Sequence, residues 1–225
     1  MIFAGAVAAT FGGMVLEPNM KELPVVEAEF DEVRKLADLI GLHNDLASVV
    51  EMTRRLSEML RQDEQDQDGL IIKSLWTSAL VTYIRCFASG KRYGLTESIY
   101  SELPGEPTTT HKYYKDTRDQ HIAHSVNAFE ETVIGIILSN EESQPIEVLG
   151  VANLTVHRIS DSAESVDQLG RLAEFARRYI AQKRQEVQDK ILNKAKSLTT
   201  EQLRALSRLG VMPQGGADAA QMPRS

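Results

Sequence analysis

Between Thr117 and Ser125 the sequence reads TRDQHIAHS, and no other stretch concentrates so many groups able to grip an anion and move a proton. Arg118 offers a planar, permanently charged fork that matches phosphate oxygens. A histidine with a pKa near neutrality can take a proton from a ribose 2′-hydroxyl or return one to a leaving 5′-oxygen, and His121 and His124 are the two candidates here. Asp119 adds a carboxylate beside them and Ser125 a hydroxyl. Upstream, Lys91 and Arg92 follow Gly90. They suit a phosphate contact near the site, or equally the negative end of the preceding helix dipole. The chemistry these types point to is cleavage or binding of a phosphodiester, without need of a metal.

Two other readings stand beside it. Arg118 can be a partly buried arginine paired with Asp119 or a glutamate of another helix, with the histidines as surface or capping groups. A metal site is the third: His121 and His124 lie three apart, with Asp119 and Glu130 near, but the two-histidine, one-glutamate helical signature is absent. Neither a metal nor a cofactor is expected.

Positioning these groups falls to the elements around them. On an ideal helix at about 100° per residue, Ile122, Val126 and Phe129 form a buried stripe with Arg118 close to it. His121 and Ser125 flank that stripe, and His124 points about 120° away from Arg118. One helix therefore pairs Arg118 more easily with His121. The helix is expected to open at His111 or a threonine before it, after a long connection from Tyr93 to Thr110 containing PGEP.

The stretch LIIKSLWTSALVTYIRCFAS, residues 70–89, gives the clearest helix. Ile72, Trp76, Ala79, Tyr83 and Cys86 recur at alternating steps of four and three. Cys86 is expected in the core. Val25 to about Arg61 also reads as helical, with a break predicted near Gly41–Asn44 and a cap at Asn44 or Asp45. His43 reads as a surface or capping histidine. After Glu131 the period changes: VIGIIL and PIEVLGVA predict a β-hairpin near 132–152, with Pro145 at a strand start and NLTVHRI as an extension. A long helix follows from about Ala163 to Ser197, its apolar stripe thinning beyond Tyr179. Thr199-Thr200-Glu201-Gln202 predicts a capping box and a last short helix.

The whole chain sets bounds. Its 225 residues can bury a real core. A single cysteine leaves no internal disulfide and no cysteine-based zinc site, so a reducing, cytoplasmic setting is expected. The formal charge of −7 argues against a protein that coats duplex nucleic acid, yet leaves room for a local basic pocket. Residues 1–24 read as an extension. Their apolar run has no basic residue before Lys21 and is short for a membrane span, so no membrane is expected. The last residues, from Gly210, lack any periodic pattern and are expected to be disordered.

The central phrase resembles a known family. An arginine, then Asn, Asp or His, then a histidine after four to six further residues is the hallmark of the HEPN superfamily, helical-bundle proteins of toxin–antitoxin, abortive-infection and CRISPR-associated systems. Arg118, Asp119 and His124 match it, with five residues between arginine and histidine. The Ala123-His124 end is similar to abortive-infection members, and an apolar helix precedes the motif here as in them. The resemblance covers roughly residues 45–185, with the residue match confined to the motif. It implies a mainly α protein with a HEPN-like antiparallel bundle over 25–198, to which the residue pattern itself appends the β-hairpin and, over 199–225, a short helix and tail. It also implies a homodimer whose motifs meet across the interface, with RNA or a nucleotide as ligand and an antitoxin as a further partner. Arg118 would then clamp phosphate, His124 act as acid or base, and Asp119 organise them, with His121, Ser125, Lys91 and Arg92 on the substrate. The function expected is a metal-independent endoribonuclease, or an RNA- or nucleotide-binding relative, of a bacterial defence or stress system. The alternative is a non-enzymatic helical interaction protein with a structural arginine and histidines. The hairpin after the motif and the second histidine depart from the family pattern.

Overall fold

A computed structural model describes residues 10–11, 14–15, 25–90, 92–122, 130–140, 145–157 and 159–209. The chain is mainly helical, with small antiparallel strand pairs. It divides into two compact units, residues 34–190 and the pair of segments 1–33 and 191–225.

In the larger unit, α1 (Glu32–Leu60) supplies a continuous buried row of Leu39, Leu42, Leu46, Val49, Thr53 and Leu56. Its steps of three and four keep one face inward through the segment where a break was predicted. A glycine inside a helix costs only about 1 kcal/mol, less than burying three leucines contributes. Gly41 has its own use: a Cβ there would lie 2.6 Å from Nη2 of Arg92.

Helix α2 (Gly69–Arg85) starts at Asp68, whose carboxylate accepts from the amides of Leu70 (3.0 Å) and Ile71 (3.1 Å). The capping removes two of the four orphan donors of the first turn. Its expected face is the buried one, with Ile72, Trp76, Ala79 and Tyr83 inward and Cys86 beyond the helix end fully buried.

Helix α3 (Pro107–Thr117) begins four residues before His111, with Pro107 in the first turn where a missing amide proton is harmless. The connection after α2 is therefore shorter than the sequence suggested. It includes a 3₁₀ turn over Glu97–Tyr100 that buries Tyr100. Helix α4 (Ala163–Lys196) turns Val166, Leu169, Ala173, Ala176 and Ile180 inward; beyond Ile180, Val187 is its one buried position. Gly170 lets α4 approach α1, since a Cβ would sit 2.8 Å from Oγ1 of Thr53.

Strands β3 (Glu130–Leu138) and β4 (Val148–His157) form an antiparallel ladder from Glu130↔His157 to Leu138↔Val148, with a register shift between Ile137 and Leu138. NLTVHRI does extend the sheet, to His157. Pro145 precedes β4 rather than opening it. Ser139 closes the connection, its amide donating to Glu147 O (2.8 Å) and its hydroxyl accepting from Glu147 N (3.0 Å).

In the smaller unit, β1 (Thr10–Phe11) pairs antiparallel with β2 (Met14–Val15). A bridge joins Val26 to Arg208, with Leu209 N donating to Val25 O at 2.9 Å. Helix α5 (Thr200–Ala205) carries the predicted box: Gln202 N donates to Thr199 Oγ1 (3.2 Å) and Thr199 N to Gln202 Oε1 (2.8 Å). The tail expected to be disordered lies outside the described residues. Among the described residues no helix is long and apolar enough to cross a membrane.

Candidate functional site

The motif begins where α3 stops being a regular helix. His111, Tyr114 and Thr117 point inward along α3, and the hydroxyl of Thr117 donates back to Tyr113 O at 2.8 Å. The next turn, Arg118–Ile122, widens to π spacing and contacts α2. Such turns are rare and recur at functional sites. From Arg118 to Ile122 the spacing is that of a π turn rather than an α-helix, and the rest of the stretch used for the ideal-helix reading, residues 123–129, lies outside the described residues. The expected pairing of Arg118 with His121 rests on a side chain outside the described residues.

Within the widened turn, Nη1 of Arg118 donates to Oδ1 of Asp119 at 2.6 Å, both side chains remaining partly exposed (34% and 43%). Sequence neighbours on a regular helix face away from each other, so this pair belongs to the irregular turn. It is one of the pairings the sequence allowed for Arg118. The backbone of His121 lies in the same turn, but its side chain, together with all of His124, Ser125 and Lys91, lies outside the described residues.

Arg92 is brought to α1 instead. Its Nη1 donates to Oδ2 of Asp45 (2.9 Å) and its Nη2 to Asp38 O (3.3 Å) across the face of Gly41. Arg85 meets the same carboxylate, Nη2 to Oδ1, at 2.5 Å. Asp45, read from the sequence as a cap, thus gathers two arginines from the end of α2 and the loop beyond it.

The sequence reading missed a buried polar chain. Tyr100 donates its one hydroxyl proton to the Leu172 carbonyl at 3.1 Å. Its oxygen must therefore accept from Tyr83 O–H (2.9 Å), and the Tyr83 oxygen accepts from Nδ1–H of His111 (2.9 Å). The chain sets the His111 tautomer and ties α3, α2 and the 3₁₀ turn to α4. Burial holds the His111 imidazole below its ordinary pKa, with Glu97 opposing and Lys115 reinforcing. Burial likewise raises the Tyr83 and Tyr100 phenols. The signal was the spacing of Tyr83 on an apolar face, which left its hydroxyl in need of a buried partner.

His43 is half-buried on α1, its Nε2 lying 3.4 Å from Nη1 of Arg177. Its pKa is lowered by burial first, then by Arg184 and Arg177. A groove of about 800 Å³ opens between α1, α4 and the segment at 103–110, with Leu103, Pro104 and Phe175 on its walls and Arg54, Arg171 and Arg178 around it. Glu51 and Glu58 hold Arg54, and Glu174 holds Arg178. The described motif residues do not line it. Among the described residues no group of three or more His, Cys, Asp or Glu is placed to hold a metal ion.

Compared with protein-family models, with curated proteins and with solved structures, the chain finds no match.

Proposed function

We propose that the chain is a HEPN-like helical protein that cleaves RNA without a metal, or binds RNA or a nucleotide, in a bacterial defence or stress system. One observation carries the reading: the Arg118–Asp119 pair sits partly exposed in a π turn at the head of the motif. An arginine already oriented by a neighbouring carboxylate loses less freedom when it meets a phosphate. In the reaction, His124 draws the proton from a ribose 2′-hydroxyl or delivers one to the leaving 5′-oxygen, and a water molecule carries out the other transfer. The 2′-oxygen attacks phosphorus and the P–O5′ bond breaks, leaving a 2′,3′-cyclic phosphate and a 5′-hydroxyl. Arg118 balances the charge that gathers on the phosphoryl oxygens.

The test is cleavage of RNA in EDTA with analysis of the termini. His124→Ala and Arg118→Ala should each slow cleavage by about a hundredfold or more. Activity that survives His124→Ala but is lost in His121→Ala would overturn this assignment of roles.

A second reading, a non-enzymatic interaction protein, has its own support in the exposed apolar ribbon β3–β4 and in the arginines already engaged by carboxylates. Wild-type protein that cuts no RNA offered, folded and at the oligomeric state found in solution, would favour it.

A further inference from the structure

Among the described elements, strands β3 and β4 make extensive contacts with each other and with no other element. The ladder is apolar on both faces. One face carries Ile134, Ile136, Val151 and Val148, exposed by 66%, 67%, 73% and 68%. The other carries Val133 and Leu154 beside the small residues Gly135 and Ala152. An isolated two-stranded ribbon is marginal in water, and one with no polar face has nothing to gain from standing there.

Its edges are equally unguarded. From Thr132 to Leu138 and from Val148 to Thr155 there is no charge and no proline, the devices by which edge strands avoid pairing. Only the extra residue Leu149, opposite the step from Ile137 to Leu138, disturbs the ladder.

We propose that a second copy of this chain covers the ribbon, on the face that carries Ile134, Ile136, Val148 and Val151. The proposed face exposes on the order of 500 Å² of apolar surface, at the upper end of the roughly 300–600 Å² of the largest patch on a typical monomer. Two copies would together bury about 1,000 Å², the lower bound for a specific interface. The favoured face is laid out as an interface: an apolar centre, and a polar rim where Thr132 and Thr155 hydroxyls meet at 3.1 Å beside Asn153. Lacking charge, the face offers no selectivity for an acidic or basic partner, and interfaces between identical chains are the most apolar class. Two strands with open edges leave backbone groups unpaired in a lipid core, which disfavours a bilayer as the occupant. An antiparallel, two-fold arrangement also keeps the acidic positions 130 and 131 of the two copies apart, whereas a parallel one would set them together. The proposal is independent of RNA cleavage, and a ribbon-held dimer is expected whether or not the chain is a nuclease.

The experiment is sedimentation equilibrium on the full chain with Ile136→Lys, Val151→Lys, Leu154→Lys and Arg118→Ala. All three lysine sites are at least two-thirds exposed, so circular dichroism should show the helical content unchanged. Wild type and Arg118→Ala should be dimers in the low micromolar range. Ile136→Lys and Val151→Lys should weaken dimerisation at least about a hundredfold, because each buries an unpaired charge. Leu154→Lys should have a much smaller effect. Three results overturn the proposal: a wild type still monomeric at about 100 μM, a dimer indifferent to both lysines, or one that only Arg118→Ala or only Leu154→Lys dissociates. Loss of RNA cleavage in Arg118→Ala with the dimer intact would separate the ribbon from the active site.

Discussion

Tyr83 and Ile136 are both large side chains on regular elements of residues 34–190, yet Tyr83 is fully buried and Ile136 is 67% exposed. Around Tyr83 the helices bury polar atoms and give each a partner: His111, Tyr100 and the Leu172 carbonyl complete one directed chain. The rings reinforce it, with Trp76 and Tyr114 edge to face at 6.2 Å and Phe87 against His111 at 4.5 Å. Around Ile136 the ribbon does the reverse, leaving apolar atoms exposed beside their cross-strand neighbours. The helical core thus satisfies its own polar and apolar groups, whereas the described ribbon leaves its apolar side chains exposed.

The largest expected effect tests that contrast directly. Tyr83→Ala should destabilise the core by about 3–5 kcal/mol, by loss of ring packing and of its hydrogen bonds. Ile136→Ala, in protein dilute enough to be monomeric, should change stability by less than about 0.5 kcal/mol. Urea unfolding of both variants gives the comparison. Tyr83→Phe sharpens it: the ring stays, but His111 Nδ1 and the Tyr100 oxygen lose their partner, which should cost about 1–3 kcal/mol.

A smaller effect should appear with pH. The His111 imidazole is held neutral in the folded chain, below its ordinary value of 6.5, and His43 is shifted the same way. The unfolded chain therefore binds protons first. Stability should be full above about pH 6.5 and fall as pH drops below it towards the folded-state values. Thermal midpoints between pH 7.5 and 5 should show the fall, and His111→Gln should shallow it. A slope unchanged by that substitution would mean that His111 is not the group responsible.

The smallest effect concerns Cys86. It is fully buried at the end of α2, its thiol donates to Thr82 O at 3.3 Å, and burial, aided by Asp45, pushes its pKa up to about 12. A polar thiol reagent at neutral pH should label it at the rate of core opening, far slower than a free thiol. Labelling as fast as in denaturant would place it outside the core just described.

How much of this was legible in the sequence follows the range of the forces involved. The buried faces of α1, α2 and α4, the capping box of α5 and the β3–β4 ladder are set by residues a few positions apart, and periodicity and cap chemistry display them. Arg118 and Asp119 stood out as neighbours of opposite charge, and the structure does pair them. Other features were decided elsewhere in the chain. Helix α1 runs through Gly41 because its leucines have a core to enter and Arg92 has a carboxylate to reach. The π turn after Thr117 stops the wheel, and an ideal helix gives no sign of where its spacing will widen. His111 reads as one more histidine of the motif helix until α2 and the 3₁₀ turn bring two tyrosines to it. Local sequence fixes which face of an element is apolar and where its ends are satisfied. Which buried hydroxyl, imidazole or guanidinium finds which partner depends on elements tens of residues away, so only the tertiary structure decides it.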